Sequence, residues 1–298
     1  MQSTTKSLFK KYKTGVLFFL PFFILFVLFI VVPVVVAIGL SFTNYNLLEA
    51  PKFVGLTNYK LLFTMDDVFM IAFKNTMTFS LIAGPITFFA SFILAWLINQ
   101  LRLRNAFALA FYAPSITSGI AMSVVWLYIF SSDRYGLIND LLFKIGVINQ
   151  PVLWNLSEDT LLPVIIVIYA WMGMGTGFLV FLAGLQNVSA ELYEAGMIDG
   201  IKNKFQELVH ITIPQMKPQL LFSAINTIIA AFAVFDIAVG FAGMPSPNYA
   251  AHTLVAHLYD YAFIRFEMGY ASAVACVLFF ITFFLGRICM RLFSSKDD

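Results

Sequence analysis

The chain has 298 residues, of which 60% are hydrophobic, 17% aromatic and only 11% charged. Soluble domains carry about 25% charged residues, so this composition excludes a water-soluble fold. A net charge of +2, from 18 Lys and Arg against 16 Asp and Glu, is too small to indicate a nucleic-acid partner.

Continuous apolar runs are the main signal along the chain. Barrel strands alternate apolar with polar residues, whereas these runs do not alternate and can cross a hydrocarbon core of about 30 Å as helices. The sequence therefore predicts an all-α membrane protein with six transmembrane helices and both termini in the cytoplasm. The predicted spans cover residues 15–40, 71–98, 106–130, 161–185, 218–243 and 268–293.

The first run follows four lysines, which superficially resembles a signal peptide. It is longer than a typical signal core and lacks a convincing cleavage site of small residues, so we expect a retained first span. The predicted organisation is a cytoplasmic segment at 1–14, a transmembrane domain at 15–293 and a cytoplasmic tail at 294–298. With the termini inside, twelve Lys or Arg lie on the cytoplasmic side and six outside, a bias that favours this orientation.

The outer segment between the third and fourth spans contains apolar residues at helical spacing from Leu137 to Ile145. We expect this short amphipathic helix to lie along the outer membrane surface.

Motifs for nucleotide binding, metal binding and catalysis are absent from the sequence. No GxxxxGK[ST] loop is present, so the chain is not expected to bind ATP in that way. His252 and His257 are five residues apart, a spacing that argues against a metal site on one helical face. No nucleophile motif occurs, so no catalytic residue is predicted. Cys276 and Cys289 are interpreted as packing residues because they lie too far apart along one helix for a disulfide.

A polar cytoplasmic loop at 189–218 separates the fourth and fifth spans. Ser189 is predicted to cap a first helix with Glu191 in its first turn, and Gly200 to end it in a left-handed conformation. A second helix at roughly 202–209 is predicted to stop before Pro214, because proline disfavours helix in the residue that precedes it.

The loop contains a motif that reads Glu194, Ala195 and Gly196, then Gly200, and finally Ile211, Ile213 and Pro214. This motif resembles the EAA loop of the binding-protein-dependent ABC importers. Gly196 replaces the second Ala of the family pattern, Ile213 replaces Leu, and one extra residue separates Gly200 from Ile211. The resemblance implies a coupling helix that docks into a cleft of an ATPase subunit. The residues to which it assigns this coupling are Glu191, Glu194, Ala195, Gly196, Asp199, Gly200 and Pro214.

Other segments resemble the carbohydrate-uptake branch of that family, the maltose and glycerol-phosphate type. These segments are FVGLTNY at 53–59, Asn75-Thr76, Pro114, Trp126, Gly136, Asn139 and LYEAGMIDG within the loop. The resemblance implies a sugar substrate and a bacterial cytoplasmic membrane. It also implies a second permease in a heterodimer, two ATPase subunits and an extracytoplasmic solute-binding protein. ATP and Mg²⁺ would bind to the ATPase subunits, and this chain would bind no cofactor.

Sugars present hydroxyl groups and apolar ring faces, so a sugar pathway needs polar side chains beside aromatic rings. The fifth span offers Asn226, Phe232, Phe235 and Asp236, and the resemblance adds a fourth-span segment after Trp171, with Met172, Gly173 and Thr176. Asp236 is interpreted as a substrate contact or as a polar pair between helices. The role of Asn226 stays open, and each phenylalanine suits helix packing as well as ligand binding.

The leading hypothesis is a permease subunit of an ATP-driven sugar importer that works by alternating access. The alternative is a self-contained proton-coupled carrier with Asp236 as its relay, which would leave the loop at 189–218 without a role. A membrane enzyme is a third option, but it requires a convergent set of polar residues that the sequence does not show.

Overall fold

The computed structural model describes residues 2–293, and the side chains of residues 14–291. The predicted cytoplasmic tail at 294–298 lies outside the described residues. The described residues form two compact units, one at 2–65 and 258–277 and the other at 66–257 and 278–293.

The first unit contains the first span and the short segment that follows it. Two short strands pair antiparallel, with Thr43 opposite Phe53. Its elements are helix Gln2–Phe26, π-helical turn Val27–Val31, helix Val32–Leu40, strands Thr43–Asn44 and Lys52–Phe53, helix Thr57–Thr64, π-helical turn Asp260–Ile264 and the start of helix Met268–Phe293.

The FVGLTNY segment closes the turn after the first span. The Asn58 side-chain amide donates to the carbonyls of Ser41 and Thr43, each at 2.9 Å, and the Tyr59 hydroxyl donates to Ser41 Oγ at 2.8 Å. Gly55 supplies the positive φ of 60° that the turn requires. The FVGLTNY segment therefore donates hydrogen bonds to backbone carbonyls just beyond the helix Val32–Leu40.

The second unit contains the remaining spans and the predicted coupling loop. Its elements are helices Asp67–Asn99, Arg104–Ile116, Gly119–Ile129, Leu137–Lys144, Glu158–Gln186, Ala190–Ile198 and Lys204–Glu207, π-helical turn Leu208–Thr212, helices Ile213–Gln215, Lys217–Phe232 and Asp236–Ala242, 3₁₀ turn Pro247–Tyr249, helix Leu254–Tyr259 and the end of Met268–Phe293.

Helices of spanning length confirm a mostly helical membrane fold, and the strand pair Thr43–Asn44 with Lys52–Phe53 departs from the all-α prediction. Among residues 2–293, the helices long and apolar enough to cross a membrane are Thr14–Leu40, Asp67–Asn99, Glu158–Gln186, Lys217–Ala242 and Met268–Arg291. A sixth crossing is present if the bent pair Arg104–Ile116 and Gly119–Ile129 counts as one span.

The third predicted span, 106–130, is not one helix, because its two halves are bent by 99°. Thr117 and Ser118 adopt extended backbone conformations between the halves. Pro114 lies just before this break and has no N–H to donate to the preceding turn. The predicted span took no account of the cluster Pro114, Ser115, Thr117, Ser118 and Gly119, whose residue types are typical of a break.

The fifth predicted span, 218–243, is interrupted as well. Its main helix ends at Phe232, and Phe235, with φ −142° and ψ −65°, precedes the half-helix Asp236–Ala242. The sequence analysis placed Asn226 and Asp236 on one continuous span. Asp236 instead begins a separate half-helix after the break.

Two π-helical turns each end two residues before a proline, Val27–Val31 before Pro33 and Leu208–Thr212 before Pro214. A proline inside an α-helix lacks an N–H and clashes with the carbonyl four residues earlier, whereas a π turn bonds each carbonyl to the N–H five residues later. Ile213 accordingly donates to the Leu208 carbonyl. The prediction that the loop helix stops before Pro214 is therefore wrong, because helical backbone continues to Gln215.

Spans 2 and 4, Asp67–Asn99 and Glu158–Gln186, form the centre of the second unit through aromatic packing. The ring of Phe181 lies edge-on to Phe88 at 5.4 Å and to Phe92 at 5.3 Å, and Phe79 meets Tyr169 at 5.0 Å. Lipid tails are as apolar as these rings, so close van der Waals packing rather than hydrophobic burial holds the helices together.

Candidate functional site

The first helix of the coupling loop, Ala190–Ile198, begins as the sequence predicts. The Ser189 hydroxyl accepts a hydrogen bond from the Glu191 N–H at 3.3 Å, and Glu191 lies in the first turn. A carboxylate there is stabilised by the partial positive charge of the helix N-terminus.

Gly200 ends this helix in the predicted left-handed conformation, with φ +97°. The Ile201 N–H donates to the Gly196 carbonyl at 2.9 Å, and the Gly200 N–H donates to the Met197 carbonyl at 3.3 Å. These two bonds form a Schellman motif, which satisfies the last carbonyls and reverses the chain.

The exposed face of this helix combines acidic and apolar side chains. Ile198 is 88% exposed and Met197 58% exposed. Gly196 is buried, and a Cβ there would lie 2.6 Å from Ile211 Cδ1, so its small size serves packing inside the loop. The predicted coupling residues on the exposed side are Glu191, Glu194, Ala195, Asp199 and Gly200.

Spans 2, 4 and 5 enclose a cavity of about 520 Å³. It contains three of the predicted pathway residues, Gly173, Thr176 and Asn226. Its full lining is Thr87, Tyr169, Gly173, Thr176, Gly177, Val180, Phe222, Ser223, Asn226, Thr227, Ile229 and Ala230, with no charged side chain among them.

Two lining residues that sequence reasoning missed are Thr87 and Ser223. They are 4% and 3% exposed, and neither side-chain oxygen has a hydrogen-bond partner. Buried hydroxyl groups are normally paired, so these two can bind a ligand that brings its own hydroxyls. Single hydroxyls in apolar spans give no sequence signal, because they often bond to their own helix.

Gly173 is one of the predicted pathway residues. It lines the cavity, but a Cβ there would lie 2.9 Å from Thr87 Cγ2. The glycine therefore also permits close contact between spans 2 and 4, as small residues do in membrane helices.

More than half of the chain matches a known protein family. A family model described as "Binding-protein-dependent transport system inner membrane component" matches residues 88–296. The chain belongs to this family. The matched range includes the broken third span, the coupling loop and the fifth span.

Curated relatives of this inner membrane component are similar over nearly their whole length. The probable ABC transporter permease protein YesP of Bacillus subtilis is 36% identical, over 98% of this chain and 93% of the relative. The arabinooligosaccharides transport system permease protein AraP of the same species is 32% identical, over 99% and 93%. The lactose transport system permease protein LacF of Rhizobium radiobacter is 31% identical, over 96% and 99%.

Solved structures show the same fold. One chain of a bacterial alginate ABC transporter, in complex with an alginate pentasaccharide-bound periplasmic protein, superposes with a TM-score of 0.80. It is 20% identical, over 96% of both chains. The family resemblance read from the sequence is confirmed, and the permease is a multi-pass inner membrane protein.

The other predicted pathway residues of this permease lie outside the cavity. Met172 packs against the apolar core, Phe232 is buried, and Phe235 lies in the break of the fifth span. Asp236 is exposed at the start of its half-helix. Their substrate roles stay predictions, and the geometry brings none of them to the cavity with Asn226.

Asp236 instead faces the third span. A Cβ at Gly119 would lie 3.0 Å from Asp236 Cβ, and one turn further a Cβ at Gly240 would overlap Ser123 Oγ. The half-helices that follow the two breaks, Gly119–Ile129 and Asp236–Ala242, are thus packed at close range. Asp236 therefore lies beside span 3, and its role as a substrate contact or as a polar pair between helices stays a prediction.

The loop between the third and fourth spans is organised by Asn139, which is fully buried. Its side-chain amide donates to the carbonyls of Ser131, Asp133 and Val152, and its Oδ1 accepts from the Trp154 indole N–H at 2.9 Å. Hydrogen bonds from the Ser131 hydroxyl and the Tyr135 N–H lower the pKa of Asp133. The predicted helix Leu137–Lys144 is confirmed, and its position on the membrane surface stays a prediction.

Proposed function

We propose that the chain is the permease subunit through which a neutral sugar or oligosaccharide crosses the membrane in an ATP-driven importer. The observation that carries this proposal is the cavity lining, which offers hydroxyl and amide groups but no charge. Such a lining can exchange hydrogen bonds with sugar hydroxyls and would leave a charged substrate without a counterion. Relatives named for arabinooligosaccharide and lactose transport support the same substrate class.

The proposed assembly contains this chain, a second and different permease, two ATPase subunits and an extracytoplasmic solute-binding protein. ATP and Mg²⁺ bind to the ATPase subunits, and this chain carries no catalytic residue. Both termini and the loop at 189–218 face the cytoplasm, as the Lys and Arg distribution favours. The acidic and apolar face with Ile198 and Glu194 docks on an ATPase subunit. Closure of the ATPase pair then moves the loop and switches the cavity between the two sides.

The test is uptake by the importer purified with its native partners and reconstituted with ATP inside liposomes. We expect ATP-dependent uptake of a neutral oligosaccharide, such as an arabinooligosaccharide, and little uptake of an acidic one of the same length. Liposomes without ATP are the matched control. Preference for the acidic sugar would contradict the substrate class.

The same assay separates the importer from the proton-coupled carrier. A protonophore should leave ATP-driven uptake unchanged, and Asp236→Asn should retain ATP-driven uptake, whereas loss of its proton relay would stop a carrier. Uptake by the chain alone that persists without ATP and stops with the protonophore would establish the carrier instead.

A further inference from the structure

The segment at 246–257 leads from the half-helix Asp236–Ala242 into the helix Leu254–Tyr259 and is largely buried, although most of it is connecting chain. Thr253 and His257 are each 1% exposed and His252 is 4% exposed. Connecting segments normally run over the surface and move easily. This burial therefore requires specific partners for its polar groups.

Span 2 supplies the first set of partners. The Asn75 side-chain amide donates to the Tyr249 carbonyl at 2.8 Å and to the His252 carbonyl at 3.1 Å. The Thr76 hydroxyl, which is fully buried, accepts from the Leu254 N–H at 2.9 Å. The Asn75-Thr76 pair thus fixes the segment to the outer part of span 2.

Asp66 makes a further connection at the start of span 2. One carboxylate oxygen caps the helix by accepting from the Phe69 N–H at 2.8 Å, and the other lies 3.2 Å from His257 Nε2. The same side chain therefore begins span 2 and holds the end of the segment.

Thr253 joins the segment to the break in the fifth span. Its hydroxyl donates to the Val234 carbonyl at 3.0 Å and accepts from the Ala256 N–H at 3.2 Å. Val234 lies within the break, where the regular helical bonding is interrupted. An unpaired carbonyl in an apolar environment is costly, so the Thr253 hydroxyl stabilises this arrangement of the break.

We propose that the segment at 246–257 is a strut between span 2 and the break of span 5, with Thr253 as its positioning residue. The break separates the cavity-lining residues Asn226–Ala230 from the half-helix Asp236–Ala242. A strut attached there transmits the docking of the solute-binding protein on the outer side to the position of the half-helix Asp236–Ala242 relative to the cavity. This inference rests on the proposed function, because it requires an outer partner and a sugar pathway.

The test compares Thr253→Val, which removes both hydroxyl bonds with little change of shape, with Thr253→Ser, which keeps them. Thr282→Val is the matched control, because the Thr282 hydroxyl bonds only carbonyls of its own helix. In the reconstituted importer, the readout is the stimulation of ATP hydrolysis by sugar-loaded binding protein per assembled complex. Thr253→Val should lower this stimulation about two- to tenfold, whereas the other two variants should match wild type. Equal stimulation in all four proteins would overturn the strut.

Amide hydrogen exchange of the wild-type importer tests the strut without any variant. Docking of the sugar-loaded binding protein should change the exchange of the Leu254 and Ala256 amides, whose acceptors are Thr76 and Thr253. Unchanged exchange at both amides would contradict the proposal even if Thr253→Val failed to assemble. If wild type shows no stimulation and no sugar uptake, the proposed function fails. If wild type transports sugar and Thr253→Val behaves like it, only the strut fails.

Discussion

The hydroxyl oxygens of Tyr193 and Thr212 lie 3.0 Å apart and join the two halves of the coupling loop. Thr212 is 2% exposed at the end of the π-helical turn, and Tyr193 lies in the helix that precedes Gly200. The bond crosses the chain reversal, so it holds the exposed helix against the backbone that leads into span 5. In the proposed importer, this bond makes the exposed helix and the start of span 5 move together.

Tyr193→Phe should weaken this connection. Loss of one hydrogen bond between side chains costs about 0.5–1.5 kcal/mol, which is small beside the stability of the whole chain. We expect normal assembly but fewer sugar molecules transported per ATP hydrolysed, measured in proteoliposomes. Tyr128→Phe serves as the control because Tyr128 is 69% exposed. An unchanged ratio in Tyr193→Phe would show that the bond does not contribute to coupling.

Gly200→Val should separate ATP hydrolysis from transport. The left-handed conformation costs a residue with a side chain about 1–2 kcal/mol, and a β-branched residue is less compatible still. The variant should insert and assemble, yet its uptake per ATP should fall. Gly286→Val is the matched control because nothing lies within 4 Å of a Cβ at that position. Undiminished coupled uptake would count against a coupling role for the loop.

Asn226→Ala should raise the apparent KM for the sugar. The Asn226 amide donates to the Phe222 carbonyl in its own helix and lines the cavity, so its oxygen can accept from a sugar hydroxyl. One lost hydrogen bond corresponds to roughly a two- to tenfold increase in KM. Asn187→Ala, at the exposed end of span 4, should leave KM unchanged. If both variants behave alike, Asn226 is not a substrate contact.

Gly240→Ala should destabilise the packed half-helices. The new Cβ would overlap Ser123 Oγ and lie 2.7 Å from Ser123 Cβ, and overpacking of this kind costs about 1–3 kcal/mol. The expected result is a lower Tm of the purified complex in detergent. Adding Ser123→Gly should restore part of that loss, and Gly286→Ala should have little effect. A double variant no more stable than Gly240→Ala would show that the contact is not the cause.

Local features of the sequence were sufficient for the membrane class and for most spans. The length of an apolar run identifies a spanning helix, because the thickness of the hydrocarbon core sets how many apolar residues a helix needs to cross it. The cap by Ser189 and the left-handed Gly200 were also predictable, since each depends on residues within one turn of the helix. The EAA resemblance correctly indicated the family from a few residues in the loop.

The tertiary structure decided how sharply the third span bends and which polar groups meet, although the cluster from Pro114 to Gly119 marks a break in that span. The apolar run of the fifth span does not reveal that its main helix stops at Phe232. It also does not reveal which face of a helix turns inward, so the meeting of Thr87 with Ser223 in one cavity, away from Asp236, could not be predicted. Lipid tails and the helix surfaces that pack together are equally apolar. Hydrophobic patterning therefore indicates that a helix crosses the membrane, but not which of its side chains face the other helices.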